Sequence, residues 1–379
     1  MIVIGAGMAG VSAAAALGES LSVAVIERER QPAYHSTGRS AALFSAIYGG
    51  EAVRALSRGS QPFLYEPPAG FAEAPLVRRR GSLYIARADQ KAEFEAYASP
   101  PDVAGAVRRL SPSQALALCP ILRPHQAVFA ALEPDSADVD VHGLHQGYLR
   151  QLRAKGGRLL TDHAVEALER TPAGWRVWTG ATSFTAPILV NVAGAWADEV
   201  AKLAGARPIG LQPMRRTALL VDPPEGVAID AWPMVIDVEE TFYFKPDAGL
   251  LLLSPADETP SVPCDAQPEA WDVAVAVDRV QTATTLEVRR VRHRWAGLRS
   301  FVADRAPVAG WDSETPGFFW LAGQGGYGIQ TAPAMARTAA ALLQDLPLPG
   351  DLQAAGVDPV ALSPERLRAP GSAATRARS

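Results

Sequence analysis

The residues with the plainest chemical meaning in this chain are three glycines and an acid. Gly5, Gly7 and Gly10 form a Gly-x-Gly-x-x-Gly run, with Ala6, Met8 and Ala9 between them, directly after the apolar stretch Ile2-Val3-Ile4. Gly5 permits a tight turn, Gly7 lets backbone approach a pyrophosphate, and Gly10 lets the next helix sit close to the sheet. The first turn of that helix would aim unpaired N–H groups and a positive dipole end at the phosphates. Glu27 closes the unit after a second apolar run, Leu21 to Ile26. Its carboxylate would accept hydrogen bonds from ribose hydroxyls and disfavour a 2′-phosphate. The chemistry is dinucleotide binding, with a purely structural glycine turn as the alternative. Spacing alone does not separate FAD from NAD.

These residues need elements to hold them. The order strand, turn, small-residue helix (Val11 to Leu17), strand, acid predicts a βαβ unit. Ile188 to Ala193 is a nearly continuous apolar run ending at Gly194-Ala195-Trp196, as a parallel strand buried on both faces requires. Pro316 to Ala322 reads as another strand. Gly323-Gln324-Gly325-Gly326-Tyr327-Gly328 then makes a second glycine-rich turn before a helix over about 330–344. Ser40-Ala41-Ala42 opens a small-residue segment that reads as helical. Helices are predicted over 90–98, 111–118 (capped by Ser111-Pro112) and 141–156, and a pair of helical pieces over 267–286. Pro208 to Leu220, Trp232 to Ile236, Thr241 to Pro246 and Gly249 to Ser254 read as strands of a second, largely antiparallel sheet, with a turn at 246–249.

Composition narrows the classes. A chain of 379 residues with 48% hydrophobic and 20% charged residues can bury a sizeable core in more than one lobe. A net charge of -4 points to neither nucleic acid nor an anionic membrane. Cys119 and Cys264 are too few and too isolated for a disulfide framework or a metal motif. Asp135, Asp138 and Asp140, on an expected loop, lack further ligands at short spacing; capping and solvation are their expected roles. With no membrane-length apolar run and no charged-then-apolar leader, a cytoplasmic protein without an integral membrane segment is expected.

Several segments together resemble the FAD-dependent D-amino acid oxidase superfamily, which includes glycine and sarcosine oxidases. They are Gly5 to Gly10, Tyr34 to Tyr48, Leu144 to Arg150, Val190 to Trp196, Phe242 to Gly249, Trp295 to Asp304 and Gly323 to Thr331. Within that superfamily the pattern is most similar to bacterial D-arginine dehydrogenase. The resemblance implies an α/β fold, with a Rossmann-like FAD-binding domain and a second α+β substrate domain on a largely antiparallel sheet. The expected FAD-binding domain is discontinuous, over 1–75, 140–206 and 295–362; the substrate domain takes 76–139 and 207–294, and 363–379 form a mobile tail.

The resemblance also assigns roles. It implies FAD rather than NAD, held non-covalently: no cysteine lies near the second glycine turn, and His35 reads as a loop histidine. Glu27, Arg28, Ser36, Thr37, Arg39, Ser40, Ala41, Ala42 and Val165 join the first glycine turn as cofactor-binding residues. So do Ala193, Gly194, Trp196, Gly297, Arg299, Gly323, Gly325, Gly326, Tyr327, Gly328, Ile329 and Gln330. Arg299 and Arg216 are implied carboxylate anchors, with Tyr48 and Tyr243 as hydroxyl donors and the Gly326 backbone near the substrate amine. Arginine suits a carboxylate because its planar fork matches two oxygens. Of adjacent Arg215 and Arg216, only one can face the cavity if the segment is a strand.

The implied reaction is hydride transfer from Cα of a D-amino acid to flavin N5, then hydrolysis of the imino acid to a 2-oxo acid and ammonia. Oxygen or a quinone would re-oxidise the flavin. Leu43, Phe44, Ser45, Ser82, Met234 and Ile236 are the expected substrate pocket. The D-arginine pattern has an acid where Ser82 aligns and a histidine where Leu43 aligns. Both departures predict a preference for neutral side chains over D-arginine. Secondary amines of the sarcosine, glycine or proline type, or a 2-hydroxy acid, are the alternative substrates.

Overall fold

The computed structural model describes residues 1–18 and 21–368. Its first sheet has six strands, in the order Val308–Trp311, Phe318–Ala322, Leu189–Asn191, Ile2–Ile4, Ala24–Ile26 and Arg158–Leu160. All pairs are parallel except the one made by Val308–Trp311. Ile2–Ile4 sits between its two parallel neighbours and is buried throughout, so the chain's first strand anchors the sheet. Helices Met8–Leu17, Val141–Ala154 and Ala332–Leu343 pack together over it through one apolar cluster. The alanines of Met8–Leu17 permit that close approach, and they leave the helix buried almost all round rather than amphipathic.

The second sheet runs Thr259–Pro260, Gln212–Val221, Leu250–Ser254, Tyr243–Asp247, Met234–Asp237, Ser82–Ala86, Phe129–Glu133 and Arg108–Leu110, with Val291–Phe301 also paired to Gln212–Val221. It is antiparallel except where Met234–Asp237 meets Ser82–Ala86. One face carries its own apolar cluster under helix Ala270–Ala283. The other face turns Tyr84, Met234, Ile236 and Tyr243 towards the cofactor side.

Four local expectations need correction. The segment after Ser40 is not helical: Leu43–Phe44 is a two-residue strand against Ala137–Val139, and the helix begins only at Glu51. The region 267–286 holds a single helix, Ala270–Ala283. Asp138 lies in strand Ala137–Val139 rather than on a loop, while Asp140 takes the expected capping role, accepting from Gly143 N–H. Trp295 to Phe301, expected in the FAD-binding domain, are strand residues of the second sheet.

The first residues of the expected tail, 363–368, are built into the fold instead. Ser363 caps a short 3-10 turn, and Arg366 and Arg368 pair with Asp304 and Asp312. The rest of that segment, 369–379, lies outside the described residues. No helix among the described residues is long and apolar enough to cross a membrane.

Candidate active site

The glycine turn is fixed by contacts that tolerate no side chain. A Cβ on Gly10 would fall 1.9 Å from the Gly5 carbonyl oxygen, and one on Gly5 (φ +113°) 2.4 Å from that of Val192. Met8 N–H donates to Thr37 Oγ1 at 3.0 Å, which brings the loop after the second strand against the helix N-terminus. Glu27 is 8% exposed and accepts from Ala6 N–H (2.7 Å) and Glu29 N–H (2.9 Å). The acid therefore staples the turn to its own strand while still lining the cavity.

Two cavities meet at this turn. One, of about 290 Å³, is lined by Glu27, Arg28, His35, Val165, Ala193, Gly194 and Trp196. The other, of about 160 Å³, is lined by Gly7, Met8, Ala9, Ser36, Thr37, Ser40, Ala41, Gly297, Arg299, Gly325, Gly326, Gly328 and Ile329. Both share Gly7, Ser36, Thr37, Val192 and Gly194, so they form the two ends of one elongated cleft across the glycine turn. Gln324, not among the expected site residues, also lines the second cavity. Its amide nitrogen is buried without a hydrogen-bond partner, a donor a cofactor carbonyl could satisfy. An elongated cleft, backbone N–H groups at its waist and an orphan donor beyond it fit a flavin dinucleotide.

Some expected cofactor residues do other work. Arg39 lines the cavity, but its guanidinium donates to the carbonyls of Ala266 and Ala296 and pairs with Asp265, clamping the loop to the second sheet. Arg28 stacks over Trp196, 4.9 Å from the ring centroid. Ser36 Oγ donates to the Leu298 carbonyl at 2.7 Å. Gly10 serves packing and Gly323 takes the left-handed backbone of the turn (φ +70°) rather than lining a cavity, and Tyr327 stands behind Tyr48 and Phe301.

A third cavity, of about 80 Å³, shares Ser40, Ala41, Arg216, Tyr243, Arg299, Gly326 and Ile329 with the second. The junction is built by two antiparallel strands. Arg216 is opposite Gly297, and Arg299 is opposite Met214, so the two arginines are diagonal neighbours on one face. Arg215 falls on the other face, held by Glu269 and Asp272. Gly326 makes room for the anchor, since a Cβ there would lie 2.8 Å from the Arg299 guanidinium.

The two arginines differ in their partners. Arg216 donates to the Asp257 carbonyl at 2.7 Å and pairs with Glu258 at 3.3 Å. Arg299 has tyrosines, not carboxylates, as its principal neighbours. Burial alone would lower its pKa, but the hydroxyls of Tyr48, Tyr243 and Tyr327 more than offset this and hold it raised. Tyr48 is itself pushed up by burial, so it remains a neutral hydroxyl; it donates to Glu240 at 3.3 Å.

The remaining wall of the third cavity is Ala42, Leu43, Ser45, Tyr48, Tyr84, Met234, Ile236, Glu240, Ala256 and Gln330. Two expected pocket residues are absent from it. Phe44 points into the main core, edge-on to Tyr65, and Ser82 is fully buried with its Oγ 2.7 Å from Ser136 Oγ. Strand alternation explains Phe44, since Leu43 and Ser45 take the cavity face. Sequence reasoning missed Tyr84, Glu240 and Gln324. Gln324 lies inside the second glycine turn and could have been found there. Glu240 carries no local signal beyond an acidic pair in a turn, where it takes φ +53°.

Residues 1–342 match the family described as DAO, FAD dependent oxidoreductase. The chain belongs to this family. A curated DAO relative, FAD-dependent oxidoreductase domain-containing protein 1 of Bos taurus, is 26% identical over 196 residues, covering 46% of this chain and 38% of its own length. Mitochondrial sarcosine dehydrogenase of Mus musculus is 26% identical over 229 residues, 55% of this chain and 24% of the relative. The chain thus spans well under half the length of these relatives. Two solved structures share the fold along nearly the whole chain. Glycine oxidase from Geobacillus kaustophilus has a TM-score of 0.80 at 20% identity, covering 91% of this chain and 94% of the other. L-proline dehydrogenase from P. horikoshii has 0.81 at 21%, covering 97% of each.

These likenesses fix FAD as the cofactor and the two-domain DAO architecture as the fold. The narrower resemblance to D-arginine dehydrogenase is not what these relatives show.

Proposed function

We propose that this DAO family member oxidises a D-amino acid at Cα, giving the imino acid and, after hydrolysis, a 2-oxo acid and ammonia. The observation that carries the reading is Arg299. It is a guanidinium whose principal neighbours are the hydroxyls of Tyr48, Tyr243 and Tyr327, placed where the cofactor cleft meets the third cavity. A carboxylate is the natural ligand of such a group, because a paired charge removes most of the cost of burying it. Arg216 supplies a second fork on the same face, and Tyr243 and Tyr48 orient the anion. With the carboxylate fixed there, Cα and the amine fall beside Gly326, whose backbone can hold the amine.

Bound FAD supplies the acceptor for the hydride leaving Cα. The chain's own contribution is orientation and exclusion of water. Neither tyrosine serves as a base, since Tyr48 holds its proton and no base is needed once the amine binds neutral. FAD is held without a covalent bond; His35 is engaged by Glu29 at 2.9 Å. Oxygen or a quinone takes the electrons onward.

A neutral side chain suits the wall of Leu43, Met234, Ile236 and Tyr84, with Ser82 sealed away from the cavity and the Glu240 carboxylate on that wall accepting from the Tyr48 hydroxyl at 3.3 Å. The names of the relatives and the small cavity favour a second reading, oxidation of a compact secondary amine or glycine-like substrate. Anaerobic bleaching of the flavin by paired D- and L-leucine, phenylalanine and arginine tests the choice. D-leucine or D-phenylalanine should bleach it, with D-arginine weak and the L forms silent. Bleaching only by sarcosine, glycine or proline would replace the first reading with the second.

A further inference from the structure

Glu133 has no part in the reaction above, yet it is a buried carboxyl directly behind a residue of the third cavity's wall. It ends strand Phe129–Glu133, directly opposite Ser82 on the neighbouring strand, and is 3% exposed. Ser45 Oγ lies 2.9 Å from both of its carboxylate oxygens. Ser45 in turn lines the cavity, and its backbone is fixed at both ends by Gln330. Ser45 N–H donates to Gln330 Oε1, and Gln330 Nε2 donates to the Ser45 carbonyl and to Ser57 Oγ. With its backbone held and its hydroxyl bonded to Glu133, the serine has two neighbours to serve: Glu133 behind it and whatever occupies the cavity in front.

We infer that Glu133 sets the hydrogen-bonding sense of the cavity wall through Ser45, and so decides which substrate side chains that wall accepts. An ionised Glu133 can only accept, so the Ser45 hydroxyl donates its hydrogen bond to it and leaves the serine lone pairs facing the cavity. The wall then accepts from an ammonium, amide or hydroxyl donor. A protonated Glu133 donates to Ser45 Oγ instead. The serine hydrogen is released towards the cavity, and the wall becomes a donor. The inference rests on the reading of the third cavity as the substrate site. It makes Glu133 a positioning residue, acting on the substrate only through Ser45.

The surroundings leave this equilibrium close to balance. Burial pushes the Glu133 carboxyl up to about 7, opposed by the hydrogen bonds from Ser45 and the Ala46 backbone, with Asp135 adding to the rise. Tyr65, Tyr84 and Tyr97 feel the Glu133 charge from helix Glu51–Tyr65, strand Ser82–Ala86 and helix Lys91–Ala98. All three hold their protons, being raised by burial first. Asp135 is itself paired with Arg79 at 3.7 Å. Among the described residues no cation acts on Glu133 directly, so only a proton neutralises its charge.

The test uses the FAD-loaded protein and carboxylate ligands that need no turnover. Butyrate with 4-aminobutyrate, and hexanoate with 6-aminohexanoate, are titrated against the flavin absorbance at pH 6 and pH 8.5. Each pair differs chiefly by a terminal ammonium, and their Kd ratio cancels effects on the shared carboxylate. For the pair of matching length, the ratio should shift by about tenfold in favour of the amino ligand at the higher pH, the size expected of one charge-assisted contact. In Glu133→Gln and in Ser45→Ala the shift should vanish while both ligands still bind. A ratio independent of pH in the unaltered protein, a shift that survives Glu133→Gln, or no ligand perturbing the flavin would overturn the inference. Loss of bleaching by every D-amino acid, with the pH-dependent ratio intact, would instead remove the proposed reaction and keep the role of Glu133.

Discussion

The cofactor turn and the substrate cavity are built in opposite ways. The turn is local: Gly5, Gly7 and Gly10 sit within six residues, and its tightest contact is between two of its own members. The cavity is assembled from segments scattered through the chain, with Leu43 and Tyr48, Tyr84, Arg216, Met234 to Tyr243, and Arg299 with Gly326 all converging. A local site is determined by backbone sterics, which the residue type declares. A convergent site depends on strand register and on which face each residue takes, so single residues in it carry graded, chemically specific effects.

That contrast can be broken. The largest effect should come from Gly10→Ala. Its Cβ would meet a backbone oxygen at 1.9 Å with no flexible neighbour to yield. A cost of about 3 kcal/mol or more is expected, read as loss of bound flavin per protein. A variant that keeps its flavin would show that the turn is not the rigid element described. Arg299→Gln should retain flavin but raise the KM for the substrate by roughly a hundred- to a thousandfold, the worth of a bidentate charged contact. Unchanged KM would place the carboxylate elsewhere.

A middle-sized effect is expected for Glu133→Gln, in stability rather than turnover. The carboxyl is raised from an unfolded value near 4.3 to about 7, so the folded state binds more protons than the unfolded state between those limits. Wild-type stability should therefore fall relative to the variant as pH rises through that window and level off above it. The difference should reach roughly 3 kcal/mol. Denaturant midpoints at pH 4.5 and 8 check this; equal differences at both would mean that the carboxyl is not strained. The smallest effect should be that of Tyr48→Phe. Losing one neutral hydroxyl beside Arg299 should lower kcat/KM by about three- to tenfold. A hundredfold loss would make Tyr48 a proton donor in the reaction rather than an orienting group.

Several features were legible before any coordinates. The βαβ unit, the second glycine turn, the capped helix at Ser111 and the hairpin over 243–254 follow from glycine, proline and alternation, which act over a few residues. The split between Arg215 and Arg216 follows from strand alternation alone, since the two must face opposite ways. Less was legible between Ser40 and Tyr48. Small residues there suggested a helix, but pairing with Ala137–Val139 overrode local propensity. Ser82 could be aligned but not oriented. Its burial against Ser136, and the position of Glu133 across the strand from it, depend on a pairing between segments about fifty residues apart.

The sequence by itself therefore determined the cofactor class, the βαβ unit and the two glycine turns. Those rest on backbone conformations that only certain residues permit. Tertiary structure alone decided that Arg39 clamps a loop, that Phe44 joins the core, and that a buried acid stands behind Ser45 with no cation beside it among the described residues. Each of those outcomes is set by which distant strand a side chain meets, and a burial cost or an absent counter-charge arises only when separate segments close around a group and remove its water.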